Sequence, residues 1–354
     1  AGLLDVVGAS INLGSGTFNA GSLSFRSDGS VDIAEDSSMQ VSGSSNAGSG
    51  LELFAEADVT LDEMVTVLGD VTIVAGATTG GIDVNGKLSG AGTILLDAAD
   101  QITVIAEIDS STVILEADDD ITVNASVVAS DLIAVSAGED GSGGLAVSLT
   151  GSLTTTDAGS DVTVNTGFGS GDVSLVGTTA ALDQVVLTAF AGAINGTGLV
   201  TSDVVDLDAF SGIGNTTGLE LSANNISSNT GSGDIAITNM SVGTVDVTSL
   251  VTGSGSIEFD QSGGGEIVFS GPVSSEGLID GGDVTLTASG DLIVDGVVTT
   301  LQGTGGTLFV SGATLNGDLT VGAGNVVIQG GAVDLLVGAN ITTDGDITLT
   351  ALRD

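Results

Sequence analysis

The sequence contains no cysteine, histidine, tryptophan or tyrosine, and its one proline is Pro272. Without cysteine there is no disulfide staple and no thiol chemistry, although that alone does not fix a compartment. Without histidine or cysteine, Ser-His-Asp and Cys-His catalysis is impossible. Without Trp or Tyr, the aromatic platforms that hold sugars in glycoside hydrolases are missing, although carboxylates are abundant.

Positive charge is nearly absent too. Arg26, Lys87 and Arg353 face 46 acidic residues, for a net charge of −43. Nucleic acid and anionic membrane surfaces are therefore excluded as partners, since both need clustered Lys and Arg. Inorganic cations, cationic surfaces and neutral glycans remain. No apolar run reaches the roughly 18 residues of a spanning helix, so no membrane insertion is expected. No basic segment followed by an apolar stretch opens the chain at Ala1, so no signal peptide is read there.

What the chain does have is glycine, 57 residues of it, and aliphatic residues that carry most of a 41% apolar content. That is too aliphatic for a disordered acidic chain. The glycines follow no triplet period, which excludes collagen. The dominant local pattern is an aspartate followed by alternating aliphatic residues. Asp70-Val71-Thr72-Ile73, Asp161-Val162-Thr163-Val164, Asp283-Val284-Thr285-Leu286, Asp318-Leu319-Thr320-Val321 and Asp346-Ile347-Thr348-Leu349 all read this way. A period of two with β-branched residues means strands. The Gly, Ser, Asn and Asp clusters between them supply turns. Leu51 to Leu68 is read as strands with Glu56 and Glu63 facing outward.

The units repeat. Asp183-Gln184-Val185-Val186-Leu187 is matched twenty residues later by Asp203-Val204-Val205-Asp206-Leu207. Gly92 to Ser110 aligns with Ser111 to Ser130, which pairs Ile94 with Val113, Leu96 with Leu115, Ile102 with Ile121 and Val104 with Val123. Asp283 and Asp346 stand three coils apart. A repeat of this length is one coil of a solenoid. The expected fold is all-β: a single-stranded parallel β-helix (β-solenoid) of about 17 coils of 19–22 residues. It is expected as one continuous domain over residues 1–354. Each coil would give two or three strands, and inward residues would form aliphatic ladders in which Phe190 and Phe210 stack. At about 4.8 Å per coil the rod would measure about 80 Å. Its axial charge, roughly one per 2 Å, would approach that of duplex DNA and respond strongly to salt.

Leu187-Thr188-Ala189-Phe190-Ala191-Gly192-Ala193-Ile194-Asn195-Gly196-Thr197-Gly198-Leu199, then Ala209-Phe210-Ser211-Gly212-Ile213-Gly214-Asn215, resemble the repeats of large bacterial surface and secreted adhesins of the filamentous-haemagglutinin-like type. The units at Asp283 and Asp291 resemble them also. The likeness covers most of the chain as a generic pattern; the secretion domain of those proteins is not recognised. It implies a right-handed parallel β-helix, export to the cell surface or exterior, and a role in adhesion or as a fibre or stalk. It carries over no catalytic residues.

Parallel β-helices include polysaccharide lyases, whose sites need a basic residue beside carboxylates. Arg26, Lys87 and Arg353 are far apart, and no enzyme is expected. Asp118, Asp119 and Asp120, with Glu139 and Asp140, are candidate oxygen ligands for calcium; the alternative is solvated turn carboxylates. Glycine clusters such as Gly167 to Gly171 are read as turns rather than phosphate loops, because no helix or lysine follows. Paired threonines at Thr285 and Thr287 raise ice binding, but the pairs do not persist from coil to coil.

Ala1 to Val7 is apolar from its first residues, Asp346 to Leu352 is strand-like, and neither shows a capping helix. Exposed strand edges invite strand addition, and head-to-tail contact between copies builds a filament; the alternative is a segment of a longer solenoid. Three functions follow: an extracellular structural fibre or stalk that self-associates end to end; an adhesin segment that grips a surface glycan or receptor; and a carbohydrate-active enzyme. Loops at Gly138 to Gly144, Asn224 to Gly233 and Gly253 to Gly265 are the adhesin's candidate contacts.

Overall fold

The computed structural model describes residues 2–14, 20–76, 78–138, 147–167, 171–215, 217–275, 282–289, 292–300, 308–311, 313–321, 325–330, 334–335 and 340–351. Among these every regular element is a strand, and every described ladder is parallel. The fold is a β-solenoid of about 14 turns. By its contacts the chain divides into Ala1–Asp183 and Gln184–Asp354.

The first unit shows how a coil is built. Leu51–Ala55, Val59–Leu61 and Val65–Val67 are followed by Val71–Ala75, Ile82–Val84 and Leu88–Gly90. Val71 pairs with Leu51, Ile82 with Val59, and Leu88 with Val65. Three strand positions therefore stack in three separate ladders. Along most strands burial alternates, as in Val71–Ala75, where Val71, Ile73 and Ala75 are buried and Thr72 and Val74 less so. Parallel register places inward residue on inward residue. Leu53, Ile73, Leu96, Leu115, Val135 and Val164 form one such row, nearly all with no exposed surface. Short aliphatic side chains suit this interior, and burying each contributes about 2 kcal/mol. Glu56 and Glu63 face outward as expected.

The aligned repeat at Ile94/Val113, Leu96/Leu115, Ile102/Ile121 and Val104/Val123 is the observed register. The coil length is less even than expected. Val113 pairs with Ile133, twenty residues on, but Ile133 pairs with Val162. Phe259 pairs with Leu286, again a long step. These insertions lengthen the mean coil, so the expected 17 coils become about 14. Asp283 and Asp346 are indeed three coils apart, through Val284, Leu308, Val326 and Ile347.

The second unit repeats the scheme. Gln184–Ala189 pairs with Val204–Ala209, and that strand with Asn225–Thr230. Inside this unit Phe259 and Phe269 meet edge to face, with centroids 5.6 Å apart. Phe190 and Phe210 do not join the interior, contrary to expectation: each is 54% exposed. Their position explains why. Val185, Leu187 and Ala189 point inward, so the next residue falls on the outward side of the alternation.

Turn glycines are required by close stacking. A Cβ on Gly177 would lie 1.5 Å from the Gly151 carbonyl oxygen of the neighbouring coil.

Candidate functional site

At Asp58, Asp70, Asp234 and Asp318 the recurring aspartate occupies the residue just before a strand and bonds to coils on both sides, whereas Asp161 opens its strand and its Oδ1 is enclosed without a partner. The Asp70 carbonyl accepts from the Leu51 N–H at 2.9 Å, and its carboxylate Oδ1 accepts from the Thr93 N–H at 2.8 Å. The chain comes so close that a Cβ on Gly92 would lie 2.1 Å from Asp70 Oδ1. Asp58 takes the Met39 N–H on its carbonyl and the Gly81 N–H on its carboxylate. Asp234 does the same with Ile213 and Ser256, and Asp318 with Val298 and Asn340. Both units use one device: a carboxylate that satisfies a backbone donor which the parallel ladder leaves over at the turn.

Other outward carboxylates meet donors of the next coil. Asn224 Nδ2 donates to Asp203 at 2.9 Å, Asn229 Nδ2 to Asp208 at 3.2 Å, and Thr287 Oγ1 to Asp260 at 2.5 Å. Thr285 stacks on Glu258 and Phe309, not on threonine, so the outer threonines form no continuous array there. Arg26 pairs with Asp5 at 2.7 Å and Lys87 with Glu107 at 2.9 Å, both exposed. The two cations lie in different coils and face no common cavity. Arg353 is outside the described residues.

Asp118, Asp119 and Asp120 sit at the turn after Ile108–Ala117. Asp119 N–H donates to the Asp100 carbonyl one coil back. Burial raises the Asp100 carboxyl, and the hydrogen bond and charge of Asp119 add to it, with a smaller contribution from Asp58. Burial also raises Asp120, followed by the charges of Asp119 and Asp100. Asp120 Oδ1 is enclosed without a hydrogen-bond partner. Among the described residues no group of three or more acidic side chains is placed to hold a metal ion. Glu139 and Asp140 are outside the described residues. Glu35, buried at the end of Val31–Glu35, accepts from Ala20 N–H and Ser37 Oγ; burial raises its pKa.

Two proposed loops each contain a strand. Asn225–Thr230 fills the middle of Asn224 to Gly233, and Ile257–Gln261 the middle of Gly253 to Gly265. Most of the loop from Gly138 to Gly144 is outside the described residues. These stretches are rich in Ser, Asn, Asp and Gly, yet their inward positions fall at period two. Ile226, Ser228 and Thr230 face in. So do Ile257, Phe259 and Gln261.

Two features escaped the sequence reading. One is interior: Asn239 and Gln261 are fully buried in neighbouring coils. Asn239 Nδ2 donates to Gln261 Oε1 at 2.8 Å and to the Ala223 carbonyl at 3.0 Å, while its Oδ1 accepts from Ala223 N–H. Gln261 Nε2 donates to the Ser241 carbonyl at 2.6 Å. The inward parity of Asn239 and Gln261 was the available signal. The other is a surface groove of about 420 Å³ in the second unit, lined by Phe190 and Phe210 with Thr188, Asp208, Asn229 and Gly231.

No protein-family model matches the chain, and no curated protein or solved structure matches it.

Proposed function

We propose that the chain is a structural element, an extracellular fibre, filament or stalk, whose work is mechanical and involves no catalytic step. The observation that carries this reading is where the outer polar groups point. Asp58, Asp70, Asp234 and Asp318 are spent on hydrogen bonds to neighbouring coils, even where Asp70 and Asp234 border surface grooves. Every coil so joined resists being peeled from the next. The extended apolar rows beneath add cohesion along the same direction. The resemblance of the Phe190 and Phe210 repeats to filamentous-haemagglutinin-like fibres supports a cell-surface setting.

Axial growth fits the strand edges. Among the described residues Leu3–Gly8 pairs only with Ser22–Ser27, and Leu3 and Val7 are well exposed. Ile347–Ala351 pairs only with Val326–Gly330, and Ile347 and Leu349 are each 48% exposed. Wherever the native chain leaves such an edge uncovered, it accepts a further parallel strand. A second copy that stacked there would make a heterologous, non-closing contact. The net charge of −43 opposes such stacking, so salt should promote it.

Sedimentation velocity and negative-stain electron microscopy test the reading. Particles that lengthen with concentration, and more readily at 0.5 M than at about 0.05 M salt, are expected. Particles of one fixed length under all these conditions would overturn axial assembly.

A further inference from the structure

The groove at Phe190 and Phe210 has a composition found nowhere else among the described cavities. The aligned strands place Thr188, Asp208 and Asn229 side by side on the outer face of three successive coils. Phe190 and Phe210 follow the ends of the first two strands, one coil apart, and each is about half exposed. In the third coil the equivalent position is Gly231, and a Cβ there would come 2.7 Å from Phe210 Cδ2. The glycine lets one ring lie against backbone and leaves the groove open at that end. An aromatic residue at Gly231 would close it.

The polar wall is anionic. Asp208 is exposed, accepts from the Asn229 amide on one carboxylate oxygen, and keeps acceptor capacity toward the groove. Asp206 stands two residues before it on the same outer face; burial and the Asp208 charge raise its carboxyl, against a hydrogen bond from Ser227. An aromatic face beside carboxylates attracts a flat cation with an apolar stem. Among the described residues the cations are Arg26 and Lys87, which belong to the other unit and are paired there.

We propose that the Phe190/Phe210 groove is a lateral docking site for an arginine side chain on an extended segment of a basic partner protein. The guanidinium would donate to Asp208 while its plane lies over a phenyl face, and the stem would cover the ring edges. This site is lateral and independent of axial assembly, so either could fail without the other.

The test uses the whole chain and an acetylated, amidated pentapeptide Ser-Arg-Gly-Arg-Ser, titrated by calorimetry and by NMR of the phenylalanine rings. Controls are the same peptide with citrulline for arginine, and the neutral oligosaccharide maltohexaose. At about 0.15 M salt, where diffuse surface attraction is screened, the arginine peptide should bind and shift the Phe190 and Phe210 resonances. The double change Phe190→Ala and Phe210→Ala should weaken binding about tenfold, and Asp208→Asn should weaken it similarly. The citrulline peptide should not bind. Both phenylalanines are exposed, so unchanged circular dichroism is expected; if the double variant unfolds, Asp208→Asn carries the test. Equal binding by wild type and Asp208→Asn would mean diffuse acidic attraction and overturn the site. Ring shifts with maltohexaose or the citrulline peptide, and none with the arginine peptide, would also overturn it.

Discussion

Asn239 stacks on Gln261 in the second unit, and Asp100 stands beside Asp119 in the first. Both place like side chains in neighbouring coils, with opposite consequences. An amide donates and accepts, so a second amide completes it even where no water reaches. A carboxylate only accepts, so a second carboxylate repels it unless a proton is held between them. A solenoid multiplies whatever stands at a given position. An amide row can repeat along it; a carboxylate is relieved where the next coil supplies a donor, as Asn229 does for Asp208 and Asn224 for Asp203, although Asp32 also stands in register with Glu52 and Asp97 with Glu116.

The comparison breaks most severely in the interior. Asn239→Ala would leave Gln261 Oε1 and both Ala223 backbone groups short of partners, and should cost about 3 kcal/mol in urea unfolding. If it costs under about 0.5 kcal/mol, the buried amides do not hold their coils together. Converting alternation to repetition is the next test. Asn229→Asp would set a second carboxylate against Asp208 and should destabilise by about 1 kcal/mol at neutral pH. The loss should shrink as acid protonates the pair.

The reverse change sharpens the same point. Asp119→Asn should stabilise by about 0.5 kcal/mol at neutral pH, a small value because the turn is partly solvated. The sign follows from linkage. Asp100 has its folded pKa raised, so the folded state binds more protons than the unfolded one. Wild type therefore loses stability as pH rises through the range from the ordinary carboxylate value to the raised one. The variant should show less of that loss, and the two melting curves should converge below the carboxylate range. Parallel curves at every pH would contradict the assignment.

Much of the fold was legible because stacking copies one local rule many times. The register of Ile94 on Val113, and of Val185 on Val205, could be read from the alignment of repeats alone. The coil count could not, because the long steps from Ile133 to Val162 and from Phe259 to Leu286 follow no repeat. Phe190 and Phe210 were misplaced by weighing hydrophobicity above parity; counting from Leu187 puts them outside. Asn239 was overlooked for the converse reason, a polar residue at an inward position. The role of the aspartates was hidden too, since a backbone partner one coil away leaves no mark in the sequence around each Asp.

That role is the centre of the account, and substitution at Asp58, Asp70, Asp234 and Asp318 tests it most directly. If these carboxylates join coils, alanine should lower stability by about 1 kcal/mol per site in urea unfolding, despite removing negative charge from a chain at −43. Asparagine, which keeps an acceptor oxygen, should restore most of the loss. If instead they are merely solvated charges, alanine at all four sites would leave the protein as stable as wild type, or more stable at low salt, and the account would be contradicted.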